Sequence, residues 1–185
     1  TNSLALNYNT SANINDGSCA HRNYTYVPDD NFEQELINLG LDSGPLNDTV
    51  PRSAVDTILE LNVSNKGIYD LTGIEDFASL TKLDVSFNQL TSLDLTSNIY
   101  LEWLNCQFWN SIEHLDLSNN TLLTYLKVKN NDLHTLNIKN GNNINIIGFI
   151  STGNPNLDCI EVDDPSYSSV SPVWSEDNWS SYSTN

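Results

Sequence analysis

The sequence predicts a leucine-rich repeat solenoid, mostly β with irregular or 3-10 turns and a helical cap at its N-terminal end. Three observations carry that expectation. Leu80, Leu101, Leu123 and Ile144 form one apolar column, Leu83, Leu104, Leu126 and Ile147 a second, and Val85, Cys106, Val128 and Phe149 a third, at steps of 21 or 22 residues. A fixed step of that size is the signature of stacked supersecondary units. Half a period later Leu93, Leu115, Leu136 and Leu157 are followed by Leu95, Leu117, Ile138 and Cys159, which gives each turn a second short strand-like segment. Asn88, Asn110 and Asn131 recur after the first set, where a side-chain amide, having both a donor and an acceptor, satisfies backbone groups turned away from a strand.

Residues 1–23 are polar and turn-rich, with Asn13, Asn15 and Asp16 before Gly17 and Cys19, and read as a short Cys-containing loop module. Residues 24–57 form the expected cap. Pro28-Asp29-Asp30 precedes Phe32, Leu36, Ile37 and Leu39, and Gly40 follows, so residues 30–39 read as an amphipathic helix capped by aspartates and ended by glycine. Ser43 to Pro51 reads as a loop. The repeats span 58–162. Residues 163–185 are Ser-rich but carry Trp174, Trp179 and Tyr182, and read as an ordered C-terminal cap, since a terminal repeat has no neighbour to bury its core.

Side chains alternate at period two along a strand, so the residues between inward leucines face outward. The outward triplets are Glu60, Asn62 and Ser64; Lys82, Asp84 and Ser86; Trp103, Asn105 and Gln107; Tyr125, Lys127 and Lys129; and Ile146, Gly148 and Ile150. Trp103 and Tyr125 are thus neighbours on one face. Between Cys106 and Asn110 one residue is inserted, and it falls on Phe108 and Trp109, which should bulge the turn and push a ring outward beside that face. Trp103, Tyr125, Phe108 and Trp109 with Lys127 and Lys129 form the candidate ligand-binding set. Flat aromatic surface ordered at low entropic cost suits a protein or an anionic polysaccharide.

Seven Lys and Arg against 24 Asp and Glu give a formal charge of −17, which excludes nucleic acid and anionic membrane surfaces as general partners. No apolar run reaches the roughly 20 residues of a membrane helix. The balance fits a secreted or cell-surface protein. Cys106 and Cys159 both stand where other turns carry Leu, Val or Ile; Cys106 reads as a small buried apolar side chain, while Cys159 stays open.

Catalytic constellations are thin. There is no phosphate loop, nucleophile elbow, HExxH or Cys-x-x-Cys. His114 and His134 fall on adjacent turns, with His134 aligned to Glu113, in columns expected to face opposite ways. Hard oxygen ligands for calcium are offered by Asn13, Asn15 and Asp16 near one end and by Glu161, Asp163 and Asp164 near the other, though neither is an EF-hand loop.

Tyr26-Val27-Pro28-Asp29-Asp30-Asn31-Phe32-Glu33-Gln34, Asp70-Leu71-Thr72-Gly73-Ile74 and Asn88-Gln89-Leu90-Thr91-Ser92-Leu93-Asp94-Leu95, with Asn156-Leu157-Asp158-Cys159-Ile160-Glu161-Val162-Asp163-Asp164, resemble secreted leucine-rich repeat proteins of marine Bacteroidetes. Residues 1–19 resemble a short disulfide-bounded module of the same bacteria, which usually runs Asn-Tyr-Asn, then Asp-Gly-Ser-Cys. The resemblance implies export by the type IX route, a partner for Cys159 shortly after the aromatic tail, and an extracellular module. The function expected is non-catalytic binding or adhesion. The alternative is a structural unit of a surface filament or adhesin stalk that associates with copies of itself end to end.

Overall fold

The computed structural model describes residues 23–184. In chain order its elements are β1 (Tyr24–Tyr26), α1 (Asp30–Asn38), β2 (Thr49–Pro51), α2 (Arg52–Val55), β3 (Glu60–Asn62), β4 (Lys82–Asp84), β5 (Trp103–Asn105), β6 (His114–Asp116), β7 (Tyr125–Lys127), β8 (Thr135–Asn137), β9 (Gly148–Ile150), β10 (Cys159–Glu161), α3 (Pro165–Ser168), β11 (Trp174–Ser175) and β12 (Ser181–Ser183), with 3-10 turns at Ile74–Asp76 and Asn143–Asn145. A six-stranded parallel sheet runs β3-β4-β5-β7-β9-β11 and a four-stranded parallel sheet runs β6-β8-β10-β12, so the chain winds as a leucine-rich repeat solenoid.

The central residue of each strand from β3 to β10 fills the core, and it is leucine in all but β9 and β10. Leu83, Leu104, Leu126 and Phe149 are fully buried in the first sheet, and Leu115, Leu136 and Ile160 are buried in the second. Removing one such leucine side chain costs about 2–5 kcal/mol. Strand neighbours pair in register, Leu83 with Leu104 and Leu104 with Leu126.

Asparagine side chains satisfy the turns. Asn88 Nδ2 donates to the carbonyls of Val63 and Val85 at 2.9 and 3.0 Å, and Asn110 and Asn131 repeat the motif one and two turns on. Asn154 is a fourth rung, donating to Val128 and Ser151. A second ladder lies on the other side of the coil, where Asn98 donates to Ile74 and Phe77 and Asn120 to Leu95 and Asn98. These amides take the place of the partners that irregular backbone lacks inside a core.

At the N-terminal end Asp29 holds two structures at once. Its Oδ1 accepts from the backbone N–H groups of Asn31 and Phe32, capping α1, while Oδ2 accepts from those of Tyr69 and Asp70 in the first turn. Phe32 on α1 stacks on Phe77, with ring centroids 6.3 Å apart. The segment expected as loop ends in β2, which pairs antiparallel with β1. At the other end β11 and β12, both from the aromatic tail, add one strand to each sheet.

The last turns depart from the expected register. Tyr125 pairs with Gly148 and Leu126 with Phe149, so the step there is longer than in the preceding turns. Ile146, expected outward, is buried and continues the column of Leu80, Leu101 and Leu123, whereas Ile144 and Ile147, expected inward, are 70% and 72% exposed. The extra length is taken up by the 3-10 turn, where Asn143 Nδ2 donates to Ile138 O at 2.7 Å. In the second sheet Ile160, not Leu157, pairs with Leu136. Val162 takes the buried place expected of Cys159, and Cys159 is exposed.

Candidate functional site

The outward rows of the six-stranded sheet follow directly from the strand register. Glu60, Lys82, Trp103, Tyr125 and Gly148 stand side by side in one row, and Asn62, Asp84, Asn105, Lys127 and Ile150 in the next. Trp103 and Tyr125 stack with ring centroids 5.5 Å apart and planes inclined by 6°. Lys82 Nζ lies 5.3 Å from the Trp103 ring and Lys127 Nζ 5.3 Å from the Tyr125 ring, at cation–π distance. Beyond Tyr125 the row continues with a glycine because the tyrosine ring occupies its side-chain space: a Cβ at Gly148 would stand 2.5 Å from Tyr125 Cε2. The rings are therefore held between neighbours on the row and turn edges, more than faces, to solvent.

The polar row is braced as well. Asn105 Nδ2 donates to Asp84 Oδ2 at 3.0 Å, and Ser86 Oγ donates to Asp84 Oδ1 at 2.6 Å. Lys82 also approaches Glu60, at 3.5 Å. Beneath the row Cys106 is fully buried, and burial, with the Asp84 charge in second place, pushes its thiol up to about 12, so it behaves as an apolar filler.

The inserted residue produces the expected bulge. Phe108 and Trp109 both have left-handed backbone, φ 61° and 63°, and Phe87 one turn earlier has φ 58°. Other turns place Asn65, Asn130 and Gly153 in that region, residue types that tolerate it. Phe87 stacks on Phe108 at 4.9 Å and meets Trp109 edge-on at 5.6 Å, and Lys129 Nζ lies 5.9 Å from the Phe108 ring. Trp109 is 73% exposed. All six expected ligand-binding residues thus lie on the six-stranded sheet or its turn edge. Lys82 and Phe87 join them. The row placement of Lys82 was readable from spacing, but the left-handed turn that exposes Phe87 had no sequence signal.

The expected calcium ligands divide. Asn13, Asn15 and Asp16 lie outside the described residues. Asp163 accepts from the backbone N–H groups of Gly141 and Asn143, and Asp164 caps α3 through Ser166 N–H. Elsewhere Asp30, Glu33 and Asp48 each place an oxygen within 4.8 Å of the others. Both Glu33 oxygens already accept from Asn47 and Asp48 N–H, which makes this group a brace for the loop.

On the second sheet an open groove of about 480 Å³ is lined by Asp94, His114, Asp116, Asn137 and Glu161, among others. The His114 and His134 rings, expected to face opposite ways, are both exposed with centroids 6.0 Å apart. His114 Nδ1 pairs with Thr135 Oγ1 at 2.9 Å, but among the described residues no carboxylate hydrogen-bonds the imidazole to orient it, as a nucleophilic pair requires.

The fold and these faces define a leucine-rich repeat protein. No family model matches the sequence. Over 73 residues, 40% of the chain, it is 37% identical to internalin J of Listeria monocytogenes, 8% of whose length is matched. The solved functional domain of that protein, described as including a cysteine ladder, superposes on 76% of this chain with a TM-score of 0.59 and 29% identity, and the chain spans 34% of it. A second internalin from Listeria monocytogenes, InlF, superposes on 74% of the chain at a TM-score of 0.57 and 21% identity, a likeness of fold. The two described cysteines here, Cys106 and Cys159, stand on different sheets and form no ladder. No helix among the described residues is long and apolar enough to cross a membrane.

Proposed function

We propose that the chain is a non-catalytic, extracellular binding or adhesion module of a secreted or surface-anchored bacterial protein. Its contact face is the outward side of the six-stranded sheet around Trp103, Tyr125 and Lys127, edged by Phe108, Trp109 and Lys129. The observation that carries this reading is the Trp103–Tyr125 stack, ordered by two lysines on a chain of net charge −17. Large rigid rings in a fixed place are what binding hot spots are made of. The sequence similarity to internalin J supports a surface role of this kind, and export by a type IX route belongs to the same proposal.

A protein ligand is favoured over an anionic polysaccharide. Sugar rings dock on an open aromatic face, and here the stacked rings face each other, with Lys82 beside Trp103 and the Gly148 backbone beneath Tyr125. The test is an array of surface glycans and immobilised host and bacterial surface proteins, with and without calcium, against wild type and a Trp103→Ala, Tyr125→Ala double variant. Protein binding lost in the double variant supports the reading. Binding confined to glycans, or indifferent to both substitutions, sinks it.

The alternative, end-to-end self-association, draws on the position of β11 and β12 as the last strands of both sheets, since sheet edges template further pairing. Sedimentation that stays monomeric across concentration removes it.

A further inference from the structure

We propose that Phe87, Phe108 and Trp109 form a pre-organised anchor that seats the Trp109 ring in an apolar, acid-rimmed pocket of a protein partner. The anchor rests on the reading of the chain as a protein-binding module, yet it is a site of its own. Among the described residues no ring contact joins it to the Trp103–Tyr125 stack.

Conformation is the first argument. Three aromatic residues hold φ of 58°, 61° and 63°, where bulky side chains are rare and strained. Turns on either side use Asn65, Asn130 and Gly153 for the same backbone. Trp109 gains little burial in return, being 73% exposed, whereas Phe87 is 36% exposed and Phe108 half-buried. Folding stability does not account for Trp109. Strain of this kind concentrates where a side chain must be presented.

Rigidity is the second. Phe108 N–H donates to Lys129 O at 2.8 Å, and Asn110, directly after Trp109, is buried with its amide donating to Val85 and Cys106. Phe87 then buttresses Trp109 at an interplanar angle of 88°. The backbone that carries the indole is therefore set, and one edge of the ring buttressed, before a partner arrives, so less freedom is lost on binding.

Shape and charge select the occupant. Because Trp109 stands perpendicular to the Phe87–Phe108 pair, the cluster is a projecting corner with no coplanar row of faces for successive sugar rings. It fits one compact apolar pocket. Lys129, over Phe108, and Lys127 on the same strand line form a basic island on a chain of net charge −17, and they call for carboxylates around that pocket.

Two measurements on the full chain test the anchor. In thermal unfolding Trp109→Asn should raise Tm by about 2 °C, because asparagine suits the left-handed backbone and little packing is lost; a lowered Tm would show the ring to be a packing element and overturn the proposal. A phage-displayed library of random peptides, selected on wild type, should yield peptides combining Leu, Ile or Phe with Asp or Glu. These should lose ~10-fold or more in affinity against Trp109→Asn and against Lys129→Glu, and keep it against Trp179→Ala, an exposed tryptophan outside both faces. Peptides indifferent to Trp109→Asn, or no enrichment, refute the anchor. So does a glycan-array signal that Trp109→Asn abolishes. Peptide affinity lost in the Trp103→Ala, Tyr125→Ala variant but kept in Trp109→Asn would remove the anchor and leave the sheet face standing, whereas affinity lost in Trp109→Asn supports the anchor and leaves the sheet face to the array of surface proteins and glycans.

Discussion

Replacing the ladder asparagines by alanine one at a time should destabilise the protein in a graded series, Asn88 most, Asn110 next and Asn131 least. All three are buried and each caps the same kind of turn, so side-chain type and burial do not separate them. Their partners do. Asn88 donates to Val63 O and Val85 O and accepts from the N–H groups of Lys66 and Ile68, at 2.9 to 3.1 Å. Asn110 donates to Val85 O and Cys106 O and accepts only from Leu90 N–H. Asn131 donates to Cys106 O and Val128 O, while its own buried Oδ1 has no partner among the described residues. At about 1 kcal/mol net per bond the three losses are roughly 4, 3 and 2 kcal/mol. Deleting the unpartnered Oδ1 of Asn131 also relieves a desolvation cost, which widens the gap. Urea unfolding followed by far-UV circular dichroism reads the series as shifts in midpoint at constant slope. Equal losses at all three positions, or Asn131 the largest, would refute the argument that partner number sets the energy.

Gly148→Ala should displace the Tyr125 ring and cost about 1 kcal/mol, the worth of an aromatic pair; near-UV circular dichroism should lose the Trp–Tyr coupling while the far-UV spectrum is kept, and an unchanged near-UV spectrum would contradict the packing described. Asp29→Asn turns a carboxylate that accepts four N–H bonds into an amide with donors facing donors, and should cost about 2–4 kcal/mol in denaturant unfolding. In a Cys19→Ser background a thiol reagent at neutral pH should label exposed Cys159 quickly and spare Cys106, whose thiol is held protonated by burial, until the chain unfolds. The Thr96 backbone and hydroxyl bonds hold the Asp94 carboxyl below its ordinary 3.8, so its contribution to stability is complete above that value and is lost as pH falls through the lower folded value. Thr96→Val should therefore narrow the gap to wild type in acid, measured as Tm at neutral pH and again near pH 3.

Most of the coil was legible because leucine recurs where one strand stacks on the next. Leu83, Leu104 and Leu126 admit a single register, and with it the pairing of Trp103 and Tyr125. The register failed where that constraint weakens. Ile144, Ile146, Ile147 and Ile150 lie so close in sequence that several alignments bury an isoleucine, and only the turn held by Asn143 decides among them. The β1–β2 pair escaped because each strand is three residues long and no periodicity links them. The second asparagine ladder was within reach of the spacing, since Asn98 and Asn120 stand 22 residues apart, each three residues after Leu95 or Leu117, and it was missed. Ring stacking and the exposure of Phe87 depend on side-chain rotamers and on left-handed φ values, which spacing does not encode.

The alternation of buried and outward residues along each three-residue strand separates two kinds of inheritance. A change at Trp103, Tyr125 or Lys127 rewrites the outer face, while Leu104, Leu126 and the asparagine rungs beneath keep the coil in place. Neighbouring outward positions sit about 4.8 Å apart, the spacing of hydrogen-bonded strands. The face is in effect a typesetter's tray, in which single characters are exchanged without recasting the frame. On the binding face proposed above, contacts can thus be revised one residue at a time, with each trial carried by an unaltered core.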